Sequence, residues 1–216
     1  MHSNHRASAL LLAASLAVGC TQAKSAGGSH EESAAAAATL KADMRKLWED
    51  HITWTRVFII SAVAGLPEQQ AATTRLLQNQ TDLGNAIKPF YGDSAGNQLT
   101  ALLRGHIQTA GELVTAAKAK DKAKVDAASA RWVANADSIA AFLSAANPNN
   151  WPQDALKAEM HQHLDLTLKE AQARLAGDWE ADVRAYDDVH TQILKMADML
   201  SEGIIRQFPD RVASAR

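Results

Sequence analysis

From Leu40 onward, apolar residues return every three or four positions, the spacing that lays one face of an α-helix against a core. In "LWEDHITWTR" (47–56) and its flanks, Leu40, Met44, Leu47, Trp54 and Phe58 form such a seam, and His51 lies in the middle of it. Helix breakers divide the pattern. "GLP" (65–67), "KPFYGDSAG" (88–96), "KAKDKAK" (118–124), "NPNNWPQ" (147–153), "AGDWEAD" (176–182) and "FPD" (208–210) read as stops and starts, with Pro67 suited to a first helical turn. Six helices are expected, over about 37–65, 68–88, 95–118, 122–146, 153–176 and 179–207.

The expected fold is therefore all-α, a six-helix bundle of three antiparallel hairpins. An internal repeat supports the hairpins. Shifted by 57 residues, "ALLRGHIQTAGELVTAAKAKD" lies over "AEMHQHLDLTLKEAQARLAGD", so that His106 falls on His163 and Asp121 on Asp178. "LWEDHITWTR" joins as a third copy through His51, and "RLLQNQTDLGNAI" aligns with "RWVANADSIAAFL", pairing Asn79 with Asn135. Asp121 and Asp178 stand where a side-chain oxygen caps the next helix.

Composition narrows the class. The chain has 216 residues, 47% of them hydrophobic, enough for one domain with a substantial core. A formal charge of −2 gives no basic footprint for nucleic acid. The twelve-residue apolar run "ASALLLAASLAV" behind Arg6 is too short to span a bilayer and reads as a signal-peptide core. It ends in "AVGC", which looks like a bacterial lipobox: residues 1–19 would be removed and Cys20, the one cysteine of the chain, acylated. Thr21 follows where an Asp would retain the protein at an inner membrane, so the outer membrane is the expected destination in a two-membrane cell. Residues 20–36 read as a flexible tether, 37–209 as the bundle, and 210–216 as a tail. The membrane, reached through this lipid, is the one partner the sequence names.

The candidate chemistry lies at mid-height. His51, His106 and His163 each fall about fifteen residues before a turn; Asn79, Gln80, Asn135, His190 and Gln192 fall twelve to fourteen after one. At about 1.5 Å per residue they share a level, a polar belt. Paired with amides, the histidines would be a neutral hydrogen-bonded layer that fixes helix register. With nitrogens free, His51, His106, His163 and His190 would be ligands for a transition metal. The carboxylate-rich di-iron pattern is missing, since only Asp187 and His190 have its spacing. His161 and His163, two apart on a helix, point away from each other. Trp48, Trp54 and Trp132 are expected in the core, and Trp151 and Trp179 at the bundle ends. No Gly-rich phosphate loop, Gly-x-Ser-x-Gly or His-Glu-x-x-His occurs, so no catalytic residue is assigned.

"LWEDHITWTR", "RLLQNQTDLGNAIKPFYG", "LTALLRGHI", "RWVANADSIAAFLSAANP", "MHQHLDLT" and "YDDVHTQILKMADMLSEGII" together resemble an uncharacterised family of bacterial six-helix proteins over about residues 45–209. The resemblance implies a domain of this kind and supplies no activity. The function expected from the sequence is a lipid-anchored envelope protein with a non-catalytic binding or structural role; the alternative is a metal-storage or redox bundle built on the histidine belt.

Overall fold

The computed structural model describes residues 26–214. The expected signal segment and Cys20 lie outside them. The described chain is all-α: α1 (Ala26–Ala64), α2 (Gln69–Lys118), α3 (Lys122–Ala146), α4 (Gln153–Ala176), α5 (Trp179–Gln207) and α6 (Pro209–Ser214). Helix α2 is not one rod. Gly92 has φ 84° and ψ 168°, outside the helical region, and the chain reverses there into two arms. These arms are the second and third helices expected from the sequence. Each helix packs on its neighbours in chain order, and α5 returns against α1, closing the ring.

The turns use the residues that their backbone requires. Gly65, Lys120 and Gly177 take left-handed conformations at φ 69°, 56° and 74°, as helix C-termini commonly do. Asp121 and Asp178 accept hydrogen bonds from the backbone N–H groups of Lys124 (3.1 Å) and Ala181 (3.0 Å), the expected N-caps. At the opposite end the loop 147–152 folds inward. Trp151 is buried against Gly203, and Asn147 donates to the Gly203 carbonyl at 2.9 Å.

Three expectations are corrected. The tether was placed over 20–36, but α1 begins at Ala26, and Ala36 and Ala37 pack against the core. An alanine-rich run is a strong helix former once one end is docked. The tail was placed over 210–216, but α6 docks through buried Val212, and Arg211 donates to the Phe90 carbonyl at 2.7 Å. Trp151 closes its end of the bundle as expected, whereas Trp179 is 59% exposed, with Arg174 over its ring at 4.7 Å.

The reversal at Gly92 depends on close backbone approach. A Cβ on Gly84 would lie 2.5 Å from the Gly96 carbonyl oxygen and 1.9 Å from Thr100 Oγ1. One on Gly96 would lie 2.6 Å from the Gly84 oxygen. Alanine normally strengthens a helix over glycine by about 1 kcal/mol. Here a rigid carbonyl occupies the space, and overpacking of this kind costs about 1–3 kcal/mol. We predict that Gly84→Ala lowers the urea-unfolding free energy by about 1–2 kcal/mol net; an increase would show that the two arms are not in backbone contact.

Candidate functional site

Three of the four belt histidines are brought together. His51 (α1), His106 (second arm of α2) and His163 (α4) are 2%, 3% and 4% exposed. Ring centroids are 5.7 Å apart for His51 and His163, and 6.4 Å for His106 and His163. Each lies fourteen residues before a left-handed turn residue: 65 − 51, 120 − 106 and 177 − 163 all equal 14.

Each ring also meets an amide 29 residues further on. His106 Nδ1 donates to Asn135 Oδ1 at 3.0 Å, and His163 Nδ1 donates to Gln192 Oε1 at 3.2 Å. The amide orientations follow from their other contacts. Asn135 Nδ2 donates to the Leu102 carbonyl at 3.1 Å, and Gln192 Nε2 to the Glu159 carbonyl at 3.0 Å. Both carbonyls lie one helical turn before the histidine served. The second nitrogen of His106, Nε2, accepts from Trp132 Nε1 at 3.2 Å, so both nitrogens of that ring are engaged.

The first hairpin divides the same work between two side chains. Asn79 Nδ2 donates to the Leu47 carbonyl at 2.9 Å. Gln80 Nε2 lies 3.3 Å from His51 Nδ1 and also donates to the Leu76 carbonyl and to Asn79 Oδ1, at 2.8 and 3.1 Å. An –NH2 has two hydrogens for these three acceptors. Gln80 Oε1 and Trp48 Nε1, both beside His51, are buried without a partner. Of the two belt amides of this hairpin, Gln80 is the ring partner, and Asn79 serves the carbonyl as Asn135 does.

His190 is not part of this layer. It is half-exposed, and its Nε2 lies 2.8 Å from Glu49 Oε1. Its height matches the belt, but its facing does not: on this helix Val183 is 52% exposed and the inward position is taken by Asp182. His161 likewise faces outward, to Asp137 at 2.8 Å.

Asp182 belongs to a charged cluster that the sequence reading missed. Arg56 donates to Glu170 Oε1 at 2.8 Å and to both oxygens of Asp182 at 2.9 and 3.1 Å, and Arg174 adds a contact to Asp182 at 3.2 Å. The Arg56 guanidinium also lies over the Tyr186 ring at 4.7 Å. Glu170 and Asp182 are each 1% exposed. One signal was present in the sequence: Glu170 follows His163 by seven residues, on the same inward face as Thr167.

Burial sets the protonation of the layer. Desolvation holds His51 well below its ordinary 6.5, with the neighbouring His163 and His106 pushing the same way. Desolvation and His163 push His106 down to about 3, and desolvation pushes His163 down to about 4. The site is thus a stack of neutral imidazoles. Burial also pushes Glu170 up to about 7, against the pull of Arg56. As metal ligands the histidines fit poorly. One nitrogen of each ring faces an amide, and His106 has both engaged. Among the described residues, no group of three or more His, Cys, Asp and Glu side chains is disposed to hold a metal ion.

Compared with protein-family models, with curated proteins and with solved structures, the chain matches none.

Two expectations follow. As pH falls below 6.5, the unfolded chain binds protons at three histidines that the folded chain refuses, so acid destabilises the fold. Glu170 acts in the opposite sense between 4.5 and about 7, because there the folded chain holds a proton that the unfolded chain has lost. Three protons against one leave two, each worth about 1.4 kcal/mol per pH unit. Urea unfolding should show stability falling by about 2–3 kcal/mol from pH 6 to pH 5; a flat or rising curve would contradict a neutral buried layer. For the charged cluster, Arg56→Met leaves two buried carboxylates facing Arg174 alone. It should cost about 3–5 kcal/mol, and the double variant with Glu170→Gln should recover part of that loss.

Proposed function

We propose that the chain is an exported bundle, anchored to the bacterial envelope by lipid on Cys20, with a binding or structural role and no catalytic one. The observation that carries the non-catalytic reading is the commitment of the histidine nitrogens. His106 is hydrogen-bonded through both, to the Asn135 amide and the Trp132 indole, and His51 and His163 through one each, to an amide on their own hairpin partners. A general base or metal ligand needs a nitrogen facing a space that substrate or solvent can enter. These rings face one another and the core. Their work is to fix the height at which the helices pair.

The recurrence supports a second part of the reading, that the bundle is built from a repeated hairpin. The 14-residue and 29-residue intervals hold at all three histidines. The anchor rests on the apolar run and "AVGC". Among the described residues, no helix is long and apolar enough to cross a membrane, and attachment through acyl chains requires none.

The alternative, a metal-storage or redox bundle, makes a distinct prediction, so one preparation decides between them. Full-length protein expressed in a bacterial host should fractionate with membranes, and Cys20→Ala should release it or leave an unprocessed precursor of higher mass. Membrane association and size unchanged by the substitution would refute the anchor. The same protein, purified without a histidine tag, should carry no near-stoichiometric transition metal by elemental analysis; one metal per chain, lost in His163→Leu, would establish the metal reading.

A further inference from the structure

The histidine layer divides the core into unequal halves. Towards the Trp151 end the space among Met44, Trp48, Ile139, Met160 and Met196 is almost filled, leaving about 20 Å³. Towards the other end, an internal chamber of about 80 Å³ remains between α1, the second arm of α2, α3 and α4. Its position follows from the sequence. The residue one helical turn beyond each histidine is small: Thr55, Ala110 and Thr167. Three large side chains at the layer are thus followed by three small ones, and the space they leave is walled by Phe58, Leu113, Val114 and Ala171.

Thr167 gives the chamber a direction. A helical threonine commonly bonds the carbonyl four residues back, and Thr55 does so, to His51 at 2.8 Å. Thr167 is 6% exposed, yet its hydroxyl oxygen is buried with no hydrogen-bond partner. Such a group costs about 1–3 kcal/mol. Ordered water is a poor occupant, because a buried water needs two to four polar partners. Of the other polar groups of the lining, Thr55 is engaged as described and Trp132 Nε1 by His106, and Gln172 is exposed at the margin. No charged side chain lines the chamber. At its margin Val125, Leu168 and Leu175 are half-buried and Gln172 is exposed, which marks an opening between α3 and α4.

We infer that this chamber is a binding site for a small, slender, uncharged amphiphile, a short alkyl chain bearing one hydroxyl or carbonyl group that pairs with Thr167. Each term follows from the lining. An apolar wall takes an alkyl chain, and one unpaired hydroxyl takes one polar group. An uncompensated charge would be heavily penalised in such surroundings. The volume is below the roughly 150 Å³ of an engineered cavity that admits benzene, so a chain fits where an aromatic ring does not. The inference goes beyond the proposed anchoring and does not depend on it.

The test uses two probes of equal heavy-atom count, 1-butanol and 1-chlorobutane, titrated into the folded protein and followed by two-dimensional NMR. Wild type should give saturable shifts with both, concentrated on residues of α1, α2, α3 and α4 at this end of the bundle. Thr167→Val keeps the shape and removes the hydroxyl. It should lower the ratio of butanol to chlorobutane affinity about tenfold. Ala171→Leu should fill the chamber and weaken both probes at least tenfold. Non-saturable or scattered shifts in wild type, or a ratio unchanged in Thr167→Val, would overturn the site. Equal binding by a folded Ala171→Leu would do the same; if that variant does not fold, the wild-type and Thr167→Val titrations decide alone.

Discussion

An imidazole taken out of water must have its donor and acceptor answered, and that requirement organises this bundle. At His106 and His163 a single amide accepts from the ring and also donates to the carbonyl one turn before it, and at His106 the ring's acceptor is answered as well, by Trp132. Such a contact tolerates little sliding. Moving one helix by one residue shifts it about 1.5 Å along its axis and turns it about 100°. The amide would then leave the ring, and two polar groups would be buried unpaired. Apolar packing is far less selective among neighbouring registers. The layer thus supplies a specificity that the surrounding Leu, Ile and Ala do not.

The three pairs are not equivalent, and the difference is physical. In the first hairpin Gln80 reaches the ring and Asn79 reaches the carbonyl, so the two functions sit on adjacent residues. The consequence is an overcommitted Nε2 and an Oε1 with nothing to accept from. Trp48, which flanks His51, also lacks a partner for its indole N–H, whereas Trp132 gives its own to His106. The second hairpin is the fully satisfied version of the arrangement, and the first is the loosest.

Much of this was legible in the sequence. The breakers placed the turns, the two aspartate caps were identified from the repeat, and the position of His51 on an apolar seam pointed to a buried partner on the next helix. What failed was facing. Height along the helix assigns His190 to the belt; a salt cluster sets the facing of α5 otherwise, since Asp182 is drawn inward to Arg56 and Arg174. In the first hairpin both amides assigned to the belt are used, Gln80 at the ring and Asn79 at the carbonyl, where the repeat pairs Asn79 alone with Asn135. Periodicity reads the average of a helix face, and a buried charge network is a local exception that no average reveals. Helix α6 was missed for a related reason: it is held by docking against α1, at the other end of the chain, which local sequence does not encode.

The two ends of the bundle therefore differ in kind. At one end Trp151 and Val212 are buried, and Phe90 packs against Phe208, closing the core with apolar rings and chain. The other end carries the turns at Gly65, Lys120 and Gly177, the Arg56 cluster and the chamber above the histidines. Helix α1 starts at the closed end, and its first ten residues, rising about 1.5 Å each, carry the chain roughly 15 Å along its axis before Ala36. The closed end is the well-packed one, and the other end holds the unpaired Thr167 hydroxyl and the larger free volume. Local opening is easiest where packing is sparse and polar groups are unpaired, so any exchange of a small molecule with the interior is expected at the end that carries the turns at Gly65, Lys120 and Gly177.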